Sequence, residues 1–316
     1  MGKGNAPGPA ILHGVPAGRG DETDRADMGD ILVGTSSWSE RTLVHESGWY
    51  PRRTMKAAER IAYYAERFPL VEIDATSRFP PTPELARQWV ERTPPGFTID
   101  IDAWTLFTGA ATLPDSLWED LRTEVRPELR DRRRLYAGHL SRAGMKEAWA
   151  RFRHAIEPLR ESGRLGVVIL RYPHWLKPGD TGRGLLLQAR RGLGDLELVV
   201  ELANPGWLDG SNCEATLSFL ENHGLGLVCT DSAGDPPVVA ATSDVAVVRF
   251  AGRRGDEVEW PGCYRYSPEE LEAWVPKLRD LAGGDGWVHV LFANTYRDWA
   301  VSNAEELSAL LAGCRA

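Results

Sequence analysis

The chain has 316 residues, 42% of them hydrophobic, and carries 45 acidic against 37 basic side chains for a formal net charge of −8. This balance suits a soluble globular protein and works against broad contact with phosphate backbones or anionic lipid. No apolar stretch approaches the roughly 18 residues that cross a bilayer. Cys213, Cys229, Cys263 and Cys314 are far apart and form no Cys-x-x-Cys, so neither a zinc ribbon nor a disulfide framework is expected and a reducing, cytoplasmic setting fits.

Residues 1–29 are rich in Gly, Pro and charge and lack the apolar core of a secretory signal. They are expected to be a disordered lead-in to one domain over residues 30–316. From there, eight short apolar runs alternate with helical patterns: Ile31–Gly34, Leu70–Asp74, Phe97–Asp102, Gly166–Arg171, Leu196–Glu201, Leu225–Asp231, Val245–Phe250 and Trp287–Phe292. Stretches such as GVVIL and LELVV have little polar alternation, as strands buried on both faces should. Between them, Ile61/Tyr64/Ala65/Phe68, Trp149/Phe152/Ile156/Leu159, Leu271/Trp274/Val275/Leu278 and Val301/Ala304/Leu307/Leu311 repeat at helical spacing and give stripes able to cover a sheet. Thr82, Ser211 and Ser267 stand as N-caps. Only Ser232–Asp244, with Pro236-Pro237, separates runs six and seven, so the helix there is expected to be weak or missing. The pattern predicts an α/β fold, a single (β/α)8 TIM-barrel-like domain with right-handed crossovers.

Links from helix to strand are short, whereas links from strand to helix are long, the longest an insertion at about 103–145 expected to act as a partial lid. The elaborated rim is where barrel active sites lie. Most runs end on charge. Glu201 and Asp231 end neighbouring strands, and two carboxyls that close split their proton affinities into an acid and a base; Asp74 is a third catalytic candidate. Arg171 and Arg249 could grip an anion with paired hydrogen bonds, or pair internally across the mouth. Asn294 is an orienting amide, Asp102 a further binding carboxyl, and Trp38 and Trp207 are pocket walls. These two are among seven loop tryptophans, with Trp49, Trp104, Trp118, Trp175 and Trp260; sealing loops onto the barrel is the alternative role for each.

No redox cofactor is expected. No His-x-His or His-x-x-x-His occurs, so metal binding is weakly supported, an oxygen-only Mg²⁺ site from Glu201, Asp231 and Asp74 being the arrangement left open. His289, inside the last run, reads as a satisfied core histidine. The basic stretch Arg130–Arg134 is flanked by Glu124 and Glu128 and reads as a solvated loop face rather than an anion contact.

Several segments carry a family resemblance: Gly34-Thr35-Ser36-Ser37-Trp38 with Trp49-Tyr50-Pro51, Tyr63-Tyr64-Ala65 before Val71-Glu72-Ile73-Asp74, Trp89 before Arg92-Thr93-Pro94, Glu201 with Pro205-x-Trp207, Asp231-Ser232, Val248-Arg249 and Phe292-x-Asn294. Together, over about Ile31 to Leu311, the chain resembles the YecE-like family, domain of unknown function number seventy-two. The resemblance implies a TIM-barrel-like fold and no settled activity. Departures from the family pattern gather on the rim: Asp102-Ala103 where Lys-Ala is usual, Arg171-Tyr172-Pro173 for Gln-Phe-Pro, Ala75-Thr76-Ser77-Arg78 for Ser-Thr-Phe-Tyr, Ala203-Asn204 for Arg-His, Ala110 for a histidine and Ala293-Asn294 for Asn-Asn. The expected function is a small-molecule enzyme using carboxylate acid–base chemistry (isomerase, lyase or hydrolase) on a small polar anionic substrate. The alternative is a non-catalytic ligand- or partner-binding protein derived from the family barrel. A nuclease-like barrel is disfavoured by the negative charge. Neither nucleic acid nor membrane is an expected partner, and the sequence leaves oligomeric state open.

Overall fold

The computed structural model describes residues 31–232, 237–252, 262–283 and 286–313. The eight apolar runs are eight strands: β1 (Ile31–Thr35), β2 (Leu70–Ile73), β3 (Thr98–Asp102), β4 (Leu165–Tyr172), β5 (Leu198–Leu202), β6 (Leu225–Ser232), β7 (Val245–Gly252) and β8 (Trp287–Phe292). Each pairs in parallel with the next, and β8 returns to β1, closing the barrel. The outer layer holds α1 (Arg41–His45), α2 (Ala57–Ala65), α3 (Pro83–Arg92), α4 (Arg142–Glu161), α5 (Asp180–Leu193), α6 (Gly210–Asn222), α7 (Pro268–Glu272), α8 (Val275–Leu281) and α9 (Trp299–Gly313). Residues 237–244 carry no helix before β7, as the short prolyl link predicts. The expected lead-in, Trp260 and Cys314 lie outside the described residues. Among the described residues no helix is long and apolar enough to cross a membrane.

The pleat sorts the strands into two cores. Leu70, Val167, Ile169, Val199, Val228, Val247 and Leu291 fill the barrel interior. Alternate residues such as Val71, Val168, Val200 and Val248 join the larger core beneath the helices. Burial on both faces is why the runs read as continuous apolar stretches. Each fully buried aliphatic side chain contributes about 1.5–3 kcal/mol. The helix caps act as expected at Thr82, which accepts from the Leu85 N–H at 3.2 Å, and at Ser267, which forms a capping box with Glu270. One expected helix is two: Pro276 opens α8 and separates it from α7, because proline has no N–H to continue the α7 ladder. Cys229, 1% exposed, is the buried thiol its apolar run suggests; burial pushes its pKa up to about 11.

Two irregularities set the geometry of the mouth. The seam of β1 and β2 has only Gly34↔Leu70 and Thr35↔Val71 in register. The backbones approach so closely that a Cβ on Gly34 would lie 2.0 Å from the Leu70 carbonyl oxygen. The Tyr64 hydroxyl of α2 staples this seam, accepting from the Thr35 N–H at 2.8 Å and donating to the Leu70 carbonyl at 3.0 Å. Between β3 and β4 the register shifts, from Ile99↔Leu165 to Ile101↔Val168, so β4 carries one extra residue. The Val167 N–H beside that shift donates to Asp100 Oδ1 at 3.0 Å. Asp100 also meets His289 Nδ1 at 3.0 Å, and both are buried. His289 is therefore a satisfied interior histidine.

The long connection between β3 and α4 contains five short 3₁₀ turns. Phe107 stacks on Trp149 of α4 with centroids 3.6 Å apart, Trp104 meets Trp118 edge-on at 5.5 Å, and Asp120 pairs with Arg151 of α4. Trp104, Phe107 and Trp118 thus go into the outer layer. The insertion is a buttress for α4 where a partial lid was expected.

Candidate functional site

The interior alternation carries upward to the C-terminal strand ends. Two residues beyond the apolar plug, the same inward face presents Glu72 on β2, Arg171 on β4, Glu201 on β5 and Arg249 on β7; Asp102 on β3 and Asp74, just past β2, complete the set. Register agrees: Arg171 is opposite Glu201, and Thr230 is opposite Arg249.

Glu72, with no exposed side-chain surface, is the hub. Arg249 donates Nη1 to its Oε2 at 2.8 Å and Nη2 to its Oε1 at 2.5 Å, a two-pronged contact, and Arg171 Nη2 donates to the same Oε1. Arg249 Nη1 also reaches Ser36 Oγ at 3.0 Å. Glu201 Oε2 lies 3.2 Å from Arg249 Nε and 3.4 Å from Arg171 Nε, and Asp102 Oδ2 lies 3.1 Å from Arg171 Nη2.

Burial alone would raise the Glu72 carboxyl, but the Arg249 and Arg171 guanidiniums outweigh it and hold it far below the usual range. Asp102 goes the other way. Burial raises it well above the usual value, the Glu72 charge and a hydrogen bond to Glu72 add to that, and Arg171 only partly opposes them. Beside a second buried carboxyl, Asp102 thus favours its protonated form. The two arginines thus face a Glu72 held ionised, with the Glu201 and Asp102 carboxyls alongside. At the rim, Asp74 is raised by burial and then by Glu72, and Glu40 by burial and then by Asp74.

Exposure separates the parts. Glu72 and Asp102 are sealed and Arg249 is 3% exposed, whereas Arg171 is 38% and Glu201 20% exposed and Asp74 is half-buried. Arg171, Glu201 and Asp74 are the groups a ligand can touch.

Of the residues expected from sequence, Arg171, Arg249, Glu201, Asp102 and Asp74 are brought together. Asp231 is not. Val228 and Thr230 take the inward positions of β6, which turns Asp231 outward, where Trp274 Nε1 donates to it at 2.8 Å and the Tyr266 hydroxyl lies 3.4 Å away. The expected Glu201–Asp231 acid–base pair is not assembled, and neither is the Mg²⁺ set of Glu201, Asp231 and Asp74. Among the described residues no three His, Cys, Asp or Glu side chains gather as metal ligands. Asn294 is fully buried and structural: its amide donates to the Tyr264 carbonyl at 2.9 Å and to Asn303 Oδ1 at 3.0 Å, tying the loop after β8 to α9. Trp207, 1% exposed, donates to the Leu176 carbonyl at 2.8 Å and seals the loop before α5 rather than walling a pocket. Trp38 is 7% exposed and its carbonyl accepts from the Tyr50 hydroxyl. Trp104 is sealed too, while Trp175 is 56% exposed.

Glu72 was missed as a site residue. Its signal was present: Leu70, Glu72 and Asp74 share one strand face, and a lone charge inside a four-residue apolar strand must find a partner in the interior.

The comparisons agree with this architecture. A DUF72 protein of Thermotoga maritima MSB8 superposes with a TM-score of 0.69 at 25% identity, over 90% of this chain and 99% of that one. A DUF72 protein of Enterococcus faecalis V583 gives a TM-score of 0.69 at 21% identity, over 89% and 95% of the two chains. The UPF0759 protein YunF of Bacillus subtilis (strain 168) is 24% identical over 299 residues, covering 89% of this chain and 94% of that protein. The family model described as "Protein of unknown function DUF72" matches residues 32–315, and the chain belongs to that family.

Proposed function

We propose that the barrel mouth is the active site of a small-molecule enzyme working by carboxyl acid–base chemistry, with no redox cofactor. Glu201 is the reachable base, Asp74 the reachable acid with its proton affinity raised, and Arg171 the contact for a negative group on a small polar substrate. Arg249 and Glu72 fix Arg171 and Glu201 from below and do not touch the ligand. The observation that carries this reading is the division of one charge network into a sealed half and an exposed half. Carboxyls pushed in opposite directions within one cluster are a hallmark of acid–base sites. Where the resembled family carries Lys and Gln, this chain has Asp102 and Arg171, and these two are in contact at 3.1 Å; the cation stays in the mouth but is borne by the next strand.

The test is untargeted mass spectrometry of a small-metabolite extract incubated with the protein or with Glu201→Gln. We expect at least one small polar anion to be consumed by the wild type and spared by the variant. Equal consumption by both, or none by either, overturns the reading. A second reading, binding without turnover, is favoured by the internal saturation of Arg249; it predicts a co-purifying metabolite that the wild type holds but leaves chemically unchanged.

A further inference from the structure

The insertion between β3 and α4 carries a second concentration of positive charge that the mouth does not use. Two antiparallel bridges, Thr112↔Leu135 and Val125↔Leu140, fold this insertion back on itself. The stretch 131–134 is therefore an irregular turn and not the helix face its charge pattern suggests. In it, Arg132, Arg133 and Arg134 line an open surface depression of about 500 Å³ with Leu129, Tyr136 and His139. Neighbouring arginines are engaged: Arg126 donates to the Gly138 carbonyl at 2.5 Å, Arg130 to the Thr123 carbonyl at 2.9 Å and the Val125 carbonyl at 3.1 Å, and Arg122 lies 3.6 Å from Asp115. The guanidiniums of Arg132, Arg133 and Arg134 have no ion-pair or hydrogen-bond partner among the described residues. This is so in a chain with more acids than bases. His139 stands beside the three arginines, its ring edge-on to Tyr136 at 5.3 Å.

We infer that this hollow binds the phosphate group of a small organic phosphate. Guanidinium forks match the oxygens of a phosphate. The Tyr136 ring is 39% exposed and offers a flat face to a planar group on the same ligand. The volume falls within the range of small-molecule sites. A net charge of −8 repels an extended polyanion, while a ligand inside the hollow feels mainly the cations within about one Debye length.

The experiment is isothermal titration of the full chain, at low salt, with ATP free of divalent metal and with inorganic pyrophosphate. The triple variant Arg132→Gln/Arg133→Gln/Arg134→Gln is the comparison; these side chains are exposed and have no partner among the described residues, so its melting curve should match the wild type. We expect saturable one-to-one binding of ATP, weaker binding of pyrophosphate, and at least about a ten-fold loss for both in the triple variant, as removal of charge-assisted contacts implies. Absence of saturable binding, or equal affinity in the triple variant, refutes the site. Tighter binding of a single-stranded oligonucleotide than of ATP, abolished in the triple variant, replaces the small phosphate with a nucleic acid and overturns the proposal in this form.

Discussion

Replacing Glu72 with glutamine keeps the hub's shape and removes its charge. Breaking a buried ion pair by neutralising one partner costs about 3–5 kcal/mol, because the surviving charge stays desolvated. Here two guanidiniums lose their shared anion: among the described residues Arg249 retains Glu201 at 3.2 Å and Ser36 at 3.0 Å, and Arg171 retains Glu201 at 3.4 Å and Asp102 at 3.1 Å. Asp102 softens the loss. The Glu72 charge and hydrogen bond that help raise its pKa disappear, Arg171 favours its ionised form, and its departing proton restores one negative charge beside Arg171. Glu72→Gln should therefore fall at the low end, about 3 kcal/mol, which lowers the melting temperature by roughly 5 °C in a domain of this size. Glu72→Gln/Asp102→Asn removes the replacement anion as well and should exceed the sum of the single losses by about 1 kcal/mol or more. Equilibrium urea unfolding at pH 7, with calorimetric melting alongside, measures both. Arg52→Gln, which breaks the exposed Arg52–Glu59 pair and leaves the Glu59 cap of α2 in place, is the control and should leave the midpoint unmoved. A Glu72→Gln loss below about 1 kcal/mol, with an additive double variant, would refute the coupled network.

Two further outcomes follow from groups outside the exposed half of the site. Asp102 has a native pKa above its unfolded value, so the native state binds its proton more tightly, and wild-type stability from this group falls as pH rises above about 4. Asp102→Asn lacks that penalty, so its stability relative to wild type should improve with pH from 4 towards 8, by at most about 1.4 kcal/mol per pH unit; denaturant midpoints with a constant difference across that range would disprove the retained proton. Gly166→Ala places a Cβ 2.2 Å from Asp100 Oδ1, 2.7 Å from Thr98 Cγ2 and 3.0 Å from the His289 ring. It should cost about 1–3 kcal/mol or more by overpacking, and an unchanged urea midpoint would show that the Asp100–His289 pair yields without strain.

The fold was legible because burial on both faces writes itself into composition: GVVIL, LELVV and VAVVRF with amphipathic helices between them call for a parallel sheet covered by helices, and eight such units in a row match a closed barrel. The site was legible only as far as strand phase could be counted. Arg171, Glu201 and Arg249 follow Ile169, Val199 and Val247 by two residues and came out correctly placed. On β6 the final charged residue was taken as inward, yet Val228 sets the phase and Asp231 is odd to it. Asn294 and Trp207 share a different cause. A polar or aromatic residue at a strand end serves equally well to tie down a loop, and which role it takes depends on partners such as Asn303 and Leu176, distant in sequence. Glu72 escaped notice because it lies one turn of the pleat below the rim, where an acid is costly unless two arginines from other strands converge on it.

The additional residue near Gly166 has a consequence for how this gene can change length. Everything beyond it on β4 is oriented by that one insertion: with it, Val167, Ile169 and Arg171 look into the lumen; without it, odd and even positions would trade sides, sending Arg171 among the helices and Leu170 into the lumen. A single-codon deletion there would therefore do more damage than the loss of several residues from a surface loop, since it inverts half a strand at a stroke and withdraws the cation that touches three acids. Length variation among functional relatives should accordingly be absent from residues 164–172 and tolerated in the 103–141 connection.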